Sequence, residues 1–318
     1  MLITPDFVYV HSPKTGGTFV TRTVAELYSP GVALPAPIEH LARRMVGERW
    51  PHESARAARA YLRLFGHIDV RSHVHRPCSR IPEPFAGRPI VTTIRNVYAR
   101  YVSVFEFGWW RRPDRPHVWM SQVRERFPHA PELTFEEFLL ATSHMGAFST
   151  LDDTRHGGLG HQTREFIRMF CRDARDVAHA AARARDEAEA AAVVRRSLLS
   201  VEFLHTESLN RDLAAYLRRF GHAEGALDAV VHAPVIRPAF GRQDRERPDW
   251  RAYYTPELAA RVRSRDRVLF ALFPEYDAAL ETSGNGTEDT STALLGPSPG
   301  RWPPPTSATS AARLDRGT

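Results

Sequence analysis

Cysteine is nearly missing from this chain, with only Cys78 and Cys171 in 318 residues. Two cysteines cannot build a disulfide framework, and without metal-ligand spacing around them they do not mark a zinc site. Both are expected to be ordinary packing residues. Lysine is scarcer still: of 43 basic residues, Lys14 alone is lysine and the rest are arginine. Long apolar runs are also lacking, and none approaches the ~18 residues that a membrane-spanning helix needs. The opening stretch, Met-Leu-Ile-Thr-Pro-Asp-Phe-Val-Tyr-Val-His, has no basic segment followed by an apolar run and a small-residue cleavage site. A cytoplasmic protein without membrane insertion is expected. No internal repeat with a period of about 20–50 residues is found, which argues against solenoids and propellers.

The composition that remains is 42% hydrophobic and 25% charged, the balance of a globular protein with a sizeable core. A net charge of +6 favours anionic partners. Arginine is spread along the chain rather than gathered in one stripe, and no nucleic-acid-binding motif accompanies it, so nucleic acid is not the expected partner. Arginine is a poor substitute where a compact, flexible ammonium must meet a phosphate or a leaving group. The one position that keeps lysine is therefore a candidate for such a task.

Phe7 to His11 is a short β-branched and aromatic run that reads as a buried strand. Beyond Gly16-Gly17, the apolar residues Val20, Val24, Leu27 and Tyr28 fall at i, i+4, i+7 and i+8, one face of a helix. Strand, glycine-rich turn and helix together open many nucleotide-binding α/β folds. Residues 39–65 are expected to be mainly helical, Ile68 to His75 a second strand and Pro89 to Arg95 a third. A helix with Tyr98, Tyr101, Val102 and Phe105 on one face follows the third strand. Residues 113–150 read as a proline-interrupted insertion of short helices. One helix over 174–196, a last strand from Leu198 to Leu204, and helices over 207–220 and 256–273 complete the pattern. From Thr282 the chain turns to Gly, Ser, Thr and Pro. The expected organisation is one α/β domain over 1–281 and a disordered tail over 282–318.

The loop Pro13-Lys14-Thr15-Gly16-Gly17-Thr18 has the chemistry of an anion cradle. Backbone N–H groups at a helix start converge on one point, where the helix dipole also favours negative charge. The glycines allow positive φ and close approach, Thr18 adds a hydroxyl, and Lys14 can reach a transferring group. Val-His-Ser-Pro-Lys-Thr-Gly-Gly-Thr, residues 10–18, resembles the 5′-phosphosulfate loop of the sulfotransferase superfamily, in particular its carbohydrate-sulfotransferase branch. Farther on, Arg95 at a strand end with Ser103 eight residues later resembles that family's 3′-phosphate motif. Arg95 offers a planar donor fork and Ser103 a hydroxyl. Val97 stands where the family usually has proline. Fainter echoes occur at Gln162 to Phe166, Val201 to Glu207 and Tyr253 to Leu258, and these are read first as structural. In the last, Thr255 is a candidate helix cap with Pro256 at the first helical position.

The resemblance implies a P-loop NTPase-like parallel sheet flanked by helices, the sulfotransferase fold. It also implies transfer of a sulfuryl group from 3′-phosphoadenosine-5′-phosphosulfate, the sulfate donor, to a hydroxyl-bearing acceptor such as a carbohydrate or small molecule. Pro13, Lys14, Thr15, Gly16, Gly17, Thr18, Arg95 and Ser103 would bind the donor, with Lys14 also acting on the leaving group. No metal is expected. The corresponding family strand carries a Gly-His-Val segment with the catalytic base, which Ser72-His73-Val74 matches without a gap. His73 is the favoured base, and His67 (in Gly66-His67-Ile68) and His75 are the alternatives. Trp109-Trp110 read as core anchors, with stacking on an acceptor as their other use. Arg111-Arg112 and the run from Arg237 to Arg247 read as solvated faces, with holding an acidic acceptor or the nucleotide as their other use. A P-loop kinase is the rival enzyme class, although its motif places lysine after the second glycine. A basic nucleic-acid-binding protein is the rival outside enzymes.

Overall fold

A computed structural model describes residues 1–29, 62–63, 66–69, 75–111, 120–142, 158–234, 236 and 248–277. His73, Arg112, the run from Arg237 to Arg247 and the tail 282–318 lie outside the described residues, as does nearly all of the helical stretch expected over 39–65.

Five strands form one sheet: β1 (Leu2–Ile3), β2 (Val8–Val10), β3 (Ile68–Asp69), β4 (Ile90–Ile94) and β5 (Val201–His205), in the order β3-β1-β2-β4-β5. β4 is parallel to both β2 and β5, with Val8 opposite Ile90 and Ile90 opposite Val201. β1 is antiparallel to β2 and β3. The sheet is thus mostly parallel, and β1, a strand not among those expected, runs against the others. The cause is local. The Thr4 hydroxyl accepts the N–H groups of Asp6 (3.2 Å) and Phe7 (3.0 Å) and donates to Phe7 O (2.9 Å), closing a turn that folds β1 back on β2.

The helices are α1 (Gly17–Tyr28), α2 (Val97–Phe107), α3 (Met120–Arg126), α4 (Phe135–Thr142), α5 (His161–Phe170), α6 (Ala174–Arg183), α7 (Glu187–Ser197), α8 (Leu209–Arg218), α9 (Glu224–Val231), α10 (Pro256–Arg265) and α11 (Arg267–Leu272). Successive side chains of a strand point to opposite faces, and the segment around β2 buries both sets. Phe7 and Tyr9 enter one cluster with Val20, Val24, Leu213, Leu217 and Leu227, from α1, α8 and α9. Val8 and Val10 enter the larger cluster that collects α2, α5, α6, α7 and α11. Helices therefore cover both faces, as a buried parallel sheet requires. Burying each large apolar side chain contributes about 1.5–3 kcal/mol. Cys78 and Cys171 are unbridged and buried, as packing residues should be.

Two helices expected to be continuous are split. Asp186 is extended, and its side chain accepts the Glu189 N–H (2.8 Å), starting α7 afresh after α6. Between α10 and α11, the Asp266 carboxylate turns to serve α5, accepting from Thr163 N–H (2.7 Å), Thr163 Oγ1 (2.8 Å) and the Tyr101 hydroxyl (2.7 Å). The start of α10 follows expectation, with the Thr255 hydroxyl accepting the Leu258 N–H (3.3 Å) and Pro256 in the first turn. The second strand is described only over Ile68–Asp69, and His75, expected on it, stands in a turn. Among the described residues no helix is long and apolar enough to cross a membrane.

Candidate functional site

The carboxyl ends of β2, β4 and β5 open onto one place, the position where α/β sheets hold their ligands. β2 leads into the loop 11–16, β4 into Arg95 and Asn96, and β5 into Thr206. Within the loop Lys14 has φ +62° and Gly16 φ +86°. The second is easy for glycine, whereas the first is an uncommon conformation for lysine. A side chain on Gly16 would also run into Leu209, and one on Gly17 into the His11 ring. Both glycines are therefore required by space, and Gly16 by its backbone as well.

The backbone of the loop is held from behind through its carbonyls. The Thr15 hydroxyl donates to Ser12 O (2.9 Å), Arg100 Nε to Pro13 O (2.9 Å) and Arg95 Nη1 to Lys14 O (3.4 Å). Thr206 Oγ1 lies 2.8 Å from both Thr15 O and Ile94 O, and His75 Nδ1 lies 3.0 Å from His11 O. Gly16 O accepts the first intrahelical N–H groups of α1, from Phe19 (3.0 Å) and Val20 (3.4 Å). With the carbonyls of residues 11–16 all engaged, the amides ahead of Phe19 are left as the polar groups of the helix start. Gly17 and Thr18 belong to that first turn, whose N–H groups have no intrahelical acceptor. Thr15 is pinned further by Thr93 Oγ1 (2.6 Å), which also meets the Tyr9 hydroxyl (3.1 Å).

Helix α2 presents one face to this loop. Asn96 caps it, its side chain accepting the Ala99 N–H (3.1 Å), and Gly108 ends it at φ +58°. Arg100, Ser103 and Phe107 follow at i, i+3 and i+7, a single stripe. Arg100 is 4% exposed and pairs with Glu165 of α5, itself 3% exposed. Burial works against the Glu165 charge, but the Arg100 guanidinium, aided by His161 and Arg168, holds its carboxyl below the usual range. At the far end of the stripe the Lys14 ammonium stands 3.9 Å above the centre of the Phe107 ring. Ser103 is half-buried between these two contacts.

The expected donor-binding residues therefore gather as follows. Pro13, Lys14, Thr15, Gly16, Gly17 and Thr18 form the loop, and Arg95 reaches it directly. Ser103 lies on the helix face that supplies Arg100 and Phe107 to it. His67 is buried at the entry to β3, and His75 touches the loop. Trp110 is core, its ring stacked on Phe138 at 4.8 Å and its Nε1 donating to Pro131 O (3.1 Å). Trp109 packs edge-on against it (6.0 Å). Among the described residues, no group of three or more His, Cys, Asp or Glu side chains is placed to hold a metal ion.

Four contributors lie outside the residues picked from the sequence. Arg100, Glu165 and Thr206 brace the loop. His11 packs on Gly17, and its ring meets that of His75 edge-on at 4.9 Å. Burial, with the neighbouring positive groups, lowers the His11 pKa to about 3 and keeps it neutral at the helix start. Glu165 and Thr206 fall within two of the three fainter family echoes read as structural, and they do their work as loop supports. Compared with protein-family models, with curated proteins and with solved structures, the chain finds no match.

Proposed function

We propose that this protein transfers a sulfuryl group from 3′-phosphoadenosine-5′-phosphosulfate to an acceptor hydroxyl. The observation that carries the proposal is the joining of two anion-binding elements at one point. A glycine-rich helix start, held by its carbonyls, lies beside an arginine from the end of the next strand, and Arg95 Nη1 donates to the carbonyl of Lys14 itself. In the reaction, the acceptor oxygen attacks sulfur in line, and the bond from sulfur to the 5′-phosphate oxygen breaks. The hydroxyl proton passes to a base, and adenosine 3′,5′-bisphosphate leaves. Lys14 and the first amides of α1 stabilise the charge that grows on the departing phosphate, while Arg95 and Ser103 hold the 3′-phosphate. His73 remains the proposed base, with His67 and His75 as matched controls. Removing such a base lowers turnover about 10²–10⁴-fold while leaving donor binding intact.

Nucleotide preference tests the assignment. Adenosine 3′,5′-bisphosphate should raise the melting temperature, and 5′-AMP should raise it far less. Arg95→Ala should abolish most of that difference, a loss of about 2–5 kcal/mol in bisphosphate affinity, as for other truncated charge-paired contacts. Equal shifts from the two nucleotides would overturn the donor, and a preference for ATP with Mg²⁺ would point to the kinase reading.

A further inference from the structure

Phe107 is the last residue of α2, and the left-handed Gly108 (φ +58°) turns the chain away directly after it. The residue is half-buried. The Lys14 ammonium stands over its ring, 3.9 Å from the ring centre. An aromatic face attracts a cation through its quadrupole, and the carboxyl end of a helix adds a negative partial charge. Lys14, with its backbone at φ +62°, is thereby directed along the α2 stripe that begins with Arg100 on Pro13 O (2.9 Å). From these contacts we infer that Phe107 is a positioning residue: it holds the ammonium of Lys14 at the edge of the anion cradle, where it meets the transferring group while still seated on the ring. The inference rests on the donor assignment proposed above for its chemical meaning, but the seat itself is a property of the chain alone.

A ring beneath an ammonium restricts where the side chain goes without touching the donor. Its effect therefore falls on the charge-developing step rather than on binding. Phe107→Leu, which keeps an apolar side chain and removes the ring, should lower kcat about tenfold, given the size of a partly desolvated cation–π contact. The KM for the sulfate donor should stay within about twofold, because the 3′-phosphate contacts are untouched. Phe107→Trp keeps an aromatic face and should restore most of the rate. A structural role alone would lower melting temperature and active fraction, and kcat per molecule titrated as competent to bind adenosine 3′,5′-bisphosphate would then be unchanged.

Lys14 is the chain's one lysine, so protein grown with ¹³C-lysine gives a single ε-methylene resonance. Lying over an aromatic ring, this resonance should appear upfield of free lysine. It should return to the ordinary position in Phe107→Leu, and it should move when adenosine 3′,5′-bisphosphate is added. An unshifted resonance in a protein that binds the bisphosphate would overturn the positioning role alone. An upfield resonance in a protein that the bisphosphate neither stabilises nor perturbs would overturn the donor assignment and the positioning role with it. Full turnover by Phe107→Leu, with the upfield shift gone, would also overturn the role.

Discussion

At the scale of single residues, the backbone of Lys14 is as informative as its side chain. A non-glycine residue at positive φ costs on the order of 1–3 kcal/mol and persists only where its surroundings impose it. Here those surroundings include Arg95 on its carbonyl (3.4 Å) and Arg100 on the carbonyl before it (2.9 Å). The side chain then begins from a fixed direction, and its reach and head group become specific. Lys14→Arg keeps the charge but replaces a compact ammonium with a longer, planar fork. Turnover should fall roughly 10²-fold, the scale of losing one preorganised electrostatic donor. The melting shift with adenosine 3′,5′-bisphosphate should be mostly retained. Steady-state kinetics beside thermal shift on one preparation will separate the two effects, and a fully active arginine variant would remove any special role for the lysine.

At the scale of elements, the loop depends on a helix that holds it through Arg100. α5 buries Gln162, Thr163, Arg164 and Glu165 in succession. Gln162 Nε2 donates to Val97 O (2.9 Å) at the start of α2, and Glu165 neutralises Arg100 under the loop. Removing one member of a buried pair leaves the other charge uncompensated, so Glu165→Ala should lower stability by about 3–5 kcal/mol. Replacing both members, as in Arg100→Met with Glu165→Leu, should cost less stability while still loosening the loop. Chemical denaturation of the two variants makes the comparison. α5 also marks where the sequence stops being legible. α1 and α2 could be read because their apolar residues recur at helical spacing. α5 could not, since polar side chains are ordinarily read as a solvent face. Its buried polar run is explained only by partners far away in the chain, such as Asp266 and Arg100. The splits at Asp186 and Asp266 differ in this respect. The first has a readable capping pattern, Asp186 with Glu189 three residues on, while the second follows from a long-range bond to Thr163.

For the molecule as a whole, the buried His161 and the half-buried His11 set a limit on the acid side. Burial lowers the pKa of His11 to about 3 and of His161 to about 4, from an ordinary 6.5. Below pH 6.5 the unfolded chain takes up protons at these sites while the folded chain does not. Stability is therefore full above 6.5 and is lost as pH falls toward about 4 and 3. Every tenfold difference in proton affinity between the folded and unfolded chain is worth ~1.4 kcal/mol. Acidification at the two sites therefore works against the folded state. Glu165 adds its own loss only below the carboxylate range, because its pKa is depressed. Across the interval from pH 6.5 to about 4.5 the histidines, with His75 also lowered by burial, act against the buried Asp266, whose raised pKa has the opposite sign. Melting temperature should drop steadily across it, and His161→Gln should flatten that drop even if the variant melts lower at pH 7.

The bonds from Thr206 to Thr15 O and Ile94 O have a consequence for the order in which the protein becomes competent during synthesis. The cradle residues emerge from the ribosome first, yet the hydroxyl that ties their strand to its neighbour is made some 190 residues later. β4 likewise waits for β5 to complete its pairing. Pairing across so long a stretch of chain is slow to close. A nascent chain ending before β5 would carry the whole glycine-rich motif and still lack a rigid place to bind its nucleotide. Competence should therefore arrive late and all at once, when the segment containing Glu202 to Thr206 has docked, rather than building up as the motif residues are added.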